Sequence, residues 1–112
     1  MVSSVAAYDG QPGQLAYSAS KGAIRSLVLP LARDLAPYGI RAMAIAPGVF
    51  ASSMTAAMSD KVRKSLEGVM EWPKRMGTPA EFAMLTRQII ENPMLNADTI
   101  RLDAAVRMPS KM

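Results

Sequence analysis

The 112-residue sequence contains no cysteine and no histidine. Without cysteine there is no disulfide scaffold, thiolate zinc site or cysteine nucleophile. Without histidine there is no Ser-His-Asp hydrolase and no ordinary transition-metal site, so we expect no resident metal. No apolar run approaches the ~20 residues that span a bilayer, so we expect no membrane protein. Any catalysis must therefore use serine, tyrosine, lysine, arginine or carboxylate side chains.

Aromatic residues are also scarce, at 5% of the chain, while basic residues are in excess, 13 against 9 acidic ones. A basic balance is typical of many nucleic-acid-binding proteins. Here the basic residues are spread along the whole chain with acidic residues among them, and the few aromatic residues form no stacking platform. We therefore expect no nucleic-acid partner.

The first third of the chain reads as a strand end, a loop and a helix. Residues 1–7 are short and apolar, as at the end of a buried strand, and residues 9–14 have the glycines and proline of a loop. A helix follows, because apolar residues recur at three- and four-residue spacing. These residues are Ile24, Leu27, Val28, Leu31 and Leu35. Pro30 should kink this helix, and Pro37 with Gly39 should end it.

The middle of the chain predicts a buried strand and then a flap. Residues 40–46 are almost all apolar and precede Pro47-Gly48, which is typical of a parallel strand covered on both faces. Residues 49–77 are less regular and contain a short helix that Ser59 or Asp60 can cap. Four methionines make this segment adaptable, which suits a mobile flap rather than a core element. They are Met54, Met58, Met70 and Met76.

The last third predicts a helix, a strand and a tail. Thr78 and Glu81 form a capping box that begins the helix, residues 99–102 form a last strand, and residues 107–112 form a polar tail. The order of strands and helices indicates an α/β fold. Three parallel strands with few helices leave faces of the sheet uncovered, so this fold looks incomplete.

One short motif can carry proton chemistry. Tyr17 and Lys21 are four residues apart, so on a helix they share one face. A nearby positive charge favours the phenolate, which can exchange a proton with a hydroxyl or carbonyl. The pair alone is weak evidence, because this spacing arises by chance in many proteins and more often marks a solvated surface contact. Ser4 and Pro47-Gly48 add weight, because both lie at carboxyl ends of predicted strands, where α/β sheets bind ligands.

These residues carry a family resemblance. Ser4, the run YSASKG at 17–22 and the run DLAPYGIRAMAIAPG at 34–48 resemble the carboxyl-terminal half of short-chain dehydrogenases/reductases. Further segments are most similar to the type 2 3-hydroxyacyl-CoA dehydrogenases of that superfamily. They are residues 6–14, 29–37, 89–93, 100–103 and 107–108. The resemblance implies that residues 1–112 form the carboxyl-terminal half of a Rossmann-like doubly wound parallel sheet, without the amino-terminal cofactor half.

The resemblance also implies a role for each matching residue. Tyr17 would be the general acid/base, and Lys21 would favour its phenolate and hold the nicotinamide ribose. Ser4 would orient and polarise the substrate oxygen, and Gln14 would contact the substrate. Other matching residues would bind the cofactor, namely Pro47, Gly48 and Val49 around the nicotinamide and Ser52 at its amide or phosphate. Residues 51–72 would be the substrate flap.

The implied activity is NAD-dependent oxidation of a 3-hydroxyacyl-CoA, or a similar secondary alcohol, to the 3-keto product. NADP stays open, because the acidic residue that selects NAD is absent, as are the family's Gly-rich turn and catalytic asparagine. Ala104 also stands where a glycine is common. We therefore expect the chain to be inactive as an isolated fragment, in the cytoplasm or, in a eukaryote, the mitochondrial matrix. The alternative is a non-catalytic interaction fragment that forms homo-oligomers through the helix at 18–36.

Overall fold

The computed structural model describes residues 1–111, with a parallel sheet at the centre. Strand β1 (Ala44–Pro47) pairs along its whole length with strand β2 (Thr99–Leu102). On the other edge of β1, Val2 bridges Ile45 in parallel, and the Ile45 N–H donates to the carbonyl of Met1 at 3.0 Å. The middle strand is buried, with Ile45 only 4% exposed. These strands confirm the predicted α/β class, and their carboxyl ends meet at one edge of the sheet.

Helix α1 (Leu15–Leu35) confirms the long helix predicted from the apolar spacing. A 3₁₀ turn at Ala36–Tyr38 extends it, and Gly39 then takes a left-handed conformation with φ of 69°. Val28 is buried against the rest of the molecule, as expected, but Leu27 is 37% exposed. Ile24, Leu31 and Leu35 are partly buried, so Leu27 lies at the margin of the predicted stripe.

The later helices begin at side-chain caps. Ser52 caps α2 (Ser53–Ala56) and Ser59 caps α3 (Asp60–Gly68). The capping box predicted before α4 (Pro79–Glu91) is present: the Glu81 N–H donates to the Thr78 hydroxyl, and the Thr78 N–H donates to the Glu81 carboxylate at 2.7 Å. None of the helices in residues 1–111 is long and apolar enough to cross a membrane.

The strand predicted at 40–46 was wrong in its bounds, since β1 begins only at Ala44. The residues before it bind the α4–β2 connection instead of a neighbouring strand. The Arg41 guanidinium donates to three carbonyl groups at 2.6–3.0 Å, and the Ala42 N–H donates to Asn96 Oδ1. The three carbonyl groups belong to Ile89, Ile90 and Leu95. Arg41 thus neutralises the negative end of α4.

The first strand segment ends before Val5, as predicted, and Val5–Ala7 then form a 3₁₀ turn. Two other expectations need correction. Met70 is not part of a mobile flap, since it is 2% exposed and packs in the core with Val5 and Val106. The predicted tail is not free, because the Met108 N–H donates to an Asp9 carboxylate oxygen at 3.3 Å. Its last residue, 112, lies outside the described part of the chain.

The contacts of Arg41 predict a large effect on stability. We expect Arg41→Met to lower the free energy of unfolding by about 1–3 kcal/mol, because it removes charge-assisted hydrogen bonds to three carbonyl groups. Chemical denaturation followed by circular dichroism measures this loss. Arg87→Met is the matched control, since Arg87 only pairs with Glu91 on the exposed face of α4 and should cost under about 1 kcal/mol. Equal losses from the two variants would contradict the role of Arg41.

Candidate functional site

The carboxyl ends of the strands open into a cleft of about 790 Å³. Seven of the eight residues predicted as site residues line it: Ser4, Gln14, Tyr17, Pro47, Gly48, Val49 and Ser52. The eighth, Lys21, lies one helical turn beyond Tyr17 on α1. Most of the remaining lining is apolar. The structure therefore brings together residues that are up to 48 positions apart, from Ser4 to Ser52.

Ser4 lies where the first strand segment turns away from the sheet. It is 8% exposed, and its hydroxyl oxygen accepts the N–H of Ala6 at 3.1 Å, which caps the Val5–Ala7 turn. Because this contact uses the oxygen as an acceptor, the Ser4 hydroxyl proton is free to donate to another group in the cleft.

Tyr17 and Lys21 are on the first turns of α1. The Lys21 ammonium is 5.8 Å from the centre of the Tyr17 ring and donates to the carbonyl of Val2 at 3.2 Å. The buried Ser3 hydroxyl donates to the Lys21 carbonyl at 2.7 Å, which fixes the helix against the first strand segment. Tyr17 is half-exposed, so a ligand in the cleft can reach it.

Tyr17 also differs from the rest of the cleft in chemistry. Among the lining residues in the described part of the chain, it has the single titratable side chain. The other polar lining side chains are hydroxyls and amides, namely those of Ser4, Gln11, Gln14, Ser52 and Thr55. Tyr17 is therefore the candidate for proton exchange with a ligand in the cleft. Residues 1–111 hold no group of three acidic side chains that could bind a metal.

Gln14 and Ser52 both bind their own loops. The Gln14 side-chain oxygen accepts the N–H of Gln11 at 3.0 Å, at the start of α1. The Ser52 hydroxyl accepts the N–H of Thr55 at 3.3 Å, and the Thr55 hydroxyl accepts the N–H of Ser52. These contacts fix two of the loops that line the cleft.

Two glycines permit close packing beside the cleft. A Cβ on Gly48 would lie 2.9 Å from the Asp103 Cβ, so the ends of β1 and β2 approach each other only because residue 48 has no side chain. A Cβ on Gly10 would lie 2.6 Å from the hydroxyl oxygen of Ser18, just after Tyr17. Gly48 was predicted to line the nicotinamide pocket. The structure adds a second role for Gly48, which is the close packing of β1 against Asp103.

Several lining residues were not predicted from the sequence. The rings of Phe50 and Phe82 meet edge to face with centres 5.9 Å apart, and both line the cleft. Gln11 and Met108 line it as well, from the loop before α1 and from the predicted tail. No local motif marks these residues, because α4 and the tail reach the cleft only through the tertiary fold.

Comparison with known proteins defines the class. A family model described as short chain dehydrogenase matches residues 1–63, which is more than half of the chain. The chain therefore belongs to the short-chain dehydrogenase family, as the resemblance predicted.

Individual relatives narrow this further. The chain is 56% identical over 105 residues to 3-hydroxyacyl-CoA dehydrogenase type-2 of Rattus norvegicus and 55% identical to that of Homo sapiens, covering 94% of this chain in each case. It spans about 40% of the length of these relatives. The crystal structure of 3-hydroxyacyl-CoA dehydrogenase type-2 from Mycobacterium avium superposes with a TM-score of 0.92 at 36% identity, covering 98% of this chain and 42% of that one. The predicted Rossmann-like part of a sheet is confirmed.

The Gly10–Ser18 contact generates a testable prediction. We expect Gly10→Ala to lower the free energy of unfolding by about 1–3 kcal/mol, because the new methyl group would overlap the Ser18 hydroxyl. Ser18→Ala should be close to neutral, since within residues 1–111 this buried hydroxyl has no hydrogen-bond partner. The double variant should lose clearly less than Gly10→Ala alone. Chemical denaturation of all three decides, and strictly additive losses would contradict the contact.

Proposed function

We propose that this chain carries the catalytic residues of an NAD-dependent dehydrogenase that oxidises a 3-hydroxyacyl-CoA, or a similar secondary alcohol, to the 3-keto product. The observation that carries the proposal is the position of Tyr17 as the titratable side chain of a cleft that Ser4 also lines. The relatives named above support the substrate class.

The chemistry assigned to the chain is a proton transfer at one oxygen. In the oxidation, the Tyr17 phenolate accepts the proton of the substrate hydroxyl as the carbonyl forms. The Ser4 hydroxyl donates a hydrogen bond to the same oxygen and orients it. The Lys21 ammonium, 5.8 Å from the centre of the Tyr17 ring, brings a positive charge next to this tyrosine. NAD, when bound, would supply the acceptor for the hydride that leaves the carbon bearing this oxygen. In the reverse reaction, Tyr17 returns the proton to the oxygen.

The residues present fit the nicotinamide end of the cofactor. An ammonium has three donors, and among the described residues the carbonyl of Val2 is the one acceptor that Lys21 uses, which leaves donors for ribose hydroxyls. Pro47 and Val49 offer an apolar wall to the ring at the carboxyl end of β1, with Gly48 between them. Ser52 also lines the cleft, and its hydroxyl suits the amide or a phosphate. NADP remains a second candidate cofactor.

The segment 51–72 supplies the side of the cleft that suits the acyl group. Met54, Met58 and Leu66 from this segment line the cleft together with Phe82 of α4. Their side chains are apolar and, in the methionines, adaptable. We assign the role of the substrate flap to the part of 51–72 that carries Met54, Met58 and Leu66, and not to Met70. In this assignment the apolar wall binds the acyl chain of the substrate.

A second candidate function is association through helix α1. Leu27 and Leu29 of α1 are 37% and 43% exposed, although an amphipathic helix usually buries most of its leucines. We propose that residues 18–36 pair with a second copy of the chain. Light scattering during size exclusion tests this, and a monodisperse 12.0 kDa monomer would contradict it.

A chimera with the Rattus norvegicus relative tests the enzymatic proposal. In it, this chain replaces the matching carboxyl-terminal segment, so that the relative supplies the Gly-rich turn for the pyrophosphate. We expect the chimera to oxidise 3-hydroxybutyryl-CoA with NAD, measured as NADH absorbance. For the 112-residue chain by itself we expect little turnover, because it has no Gly-rich turn. A folded chimera that binds NAD but does not turn over would contradict the proposal.

Removal of the Tyr17 hydroxyl should abolish most of this activity. We expect Tyr17→Phe to lower kcat of the chimera by about 100-fold or more, because it removes the general acid/base. NADH binding, measured by fluorescence, should be nearly unchanged. Tyr38→Phe is the matched control, since Tyr38 is 76% exposed and lies outside the cleft.

Substitution of Lys21 distinguishes a catalytic Tyr17–Lys21 pair from a solvated surface pair. We expect Lys21→Ala to lower kcat and also weaken NADH binding, because the ammonium serves both the phenolate and the ribose. Equal and mild losses from the Tyr17 and Lys21 variants would instead indicate a solvated pair without a catalytic role.

A further inference from the structure

A network of ion pairs lies behind the cleft, and the proposed chemistry does not use it. Arg101 at the end of β2 binds Asp9 through two bonds, Nη2 to Oδ2 at 2.6 Å and Nη1 to Oδ1 at 3.1 Å. Its Nε donates to Asp103 Oδ2 at 2.7 Å, and its Nη2 also donates to the Val106 carbonyl at 2.8 Å. The side chains of Arg101, Asp9 and Asp103 are only 16%, 15% and 7% exposed. We call these three residues, with Tyr8, the Arg101 network.

Tyr8 joins the network through its ring. The Arg101 guanidinium carbon is 4.8 Å from the ring centre, and that of Arg25 on α1 is 3.9 Å from it. Cations favour aromatic faces, and guanidinium groups pack on them well. The loop between Ser4 and α1 is therefore bound from β2 and from α1 at once.

The network is directly continuous with the turn that carries Ser4. The N–H groups of Tyr8 and Asp9 donate to the carbonyl of Val5 at 2.9 and 2.8 Å. Ser4 precedes Val5, and its hydroxyl accepts the N–H of Ala6. A displacement of Asp9 would therefore move the turn whose first residues include the Ser4 side chain.

The Asp9 carboxylate and its loop also bind the carboxyl-terminal segment. Asp9 Oδ2 accepts the N–H of Met108 at 3.3 Å, and the Gln11 side chain donates to the Pro109 carbonyl at 3.1 Å. Met108 and Gln11 both line the cleft. Asp9 thus joins the Ser4 turn to the carboxyl-terminal segment, and Arg101 fixes Asp9.

Charge and burial make Arg101 difficult to replace. The hydrogen bonds from Arg101 hold the pKa of Asp9 below its usual value, ahead of smaller contributions from Met108 and Arg107. A carboxyl whose pKa is lowered on folding adds stability above its ordinary pKa near 4, and this is lost as pH falls through the lowered value. At neutral pH the pair is therefore fully formed. Removal of one partner would leave the other charged in a poorly solvated place.

We propose that Arg101 is a positioning residue of the catalytic cleft: through Asp9 it fixes the Ser4 turn on one side and residues 106–109 on the other. The effect of Arg101 on the position of these two segments is independent of the proposed function, whereas its effect on the reaction rests on that function. A lysine cannot replace it, because an ammonium lacks the planar fork that binds Asp9 at two oxygens while reaching Asp103.

The first test follows hydrogen exchange by mass spectrometry in the 112-residue chain. In Arg101→Met and Arg101→Lys we expect amides of 5–9 and 104–109 to exchange roughly tenfold faster or more, while the amides of β1 keep their protection. Asp9→Asn should give the same pattern with a smaller increase in exchange. This variant replaces Arg101→Met in the test if Arg101→Met does not fold. Arg87→Met is the control, with its exposed pair to Glu91. Unchanged exchange in both segments, or equal loosening of β1, would overturn the proposal.

The second test uses the catalytic chimera. We expect Arg101→Lys to lower kcat and raise KM for the acyl-CoA while KM for NAD stays constant, because the turn that Arg101 fixes carries Ser4, which binds the substrate oxygen in the proposed reaction. A merely structural loss would reduce the amount of active enzyme and leave both KM values unchanged, which would overturn the positioning role. An inactive parent chimera would contradict the proposed function, and hydrogen exchange would still decide on the network.

Discussion

The parallel pairing of β1 on both of its edges is the constraint on which the rest of the structure depends. Residues 1–3 pair with one edge and β2 with the other, so three segments distant in sequence end at the same side of the sheet. A parallel arrangement places carboxyl ends together. Ser4, Gly48 and Asp103 are therefore neighbours, and the cleft forms where the three segments leave the sheet.

Small residues allow the strand ends and the loop before α1 to approach each other closely. Gly48 lets the end of β1 contact the backbone of Asp103, and Gly10 lets the loop before α1 lie directly on Ser18. The alanines of β1 are almost completely buried, with Ala46 at 0% exposure. Larger side chains would separate the layers, and a cleft built by three strand ends would widen with them.

Two of the basic residues have structural partners that account for their presence. Arg41 binds the carbonyl groups at the end of α4, and Arg101 binds Asp9 and Asp103 beside the cleft. Each joins segments more than 40 positions apart. These two positive charges therefore have partners within the molecule. The excess of basic residues is accordingly weaker evidence for a nucleic-acid partner.

Elements that depend on local chemistry could be predicted from the sequence. The capping box at Thr78, the strand at 99–102 and the Tyr17–Lys21 spacing follow from neighbouring residues, and the family resemblance follows from runs of them. Other features became visible in the fold alone: β1 begins at Ala44, Met70 lies in the core, and Phe82 and Met108 line the cleft. These features depend on contacts between distant segments, whose side-chain packing and hydrogen bonds leave no periodic pattern in the chain.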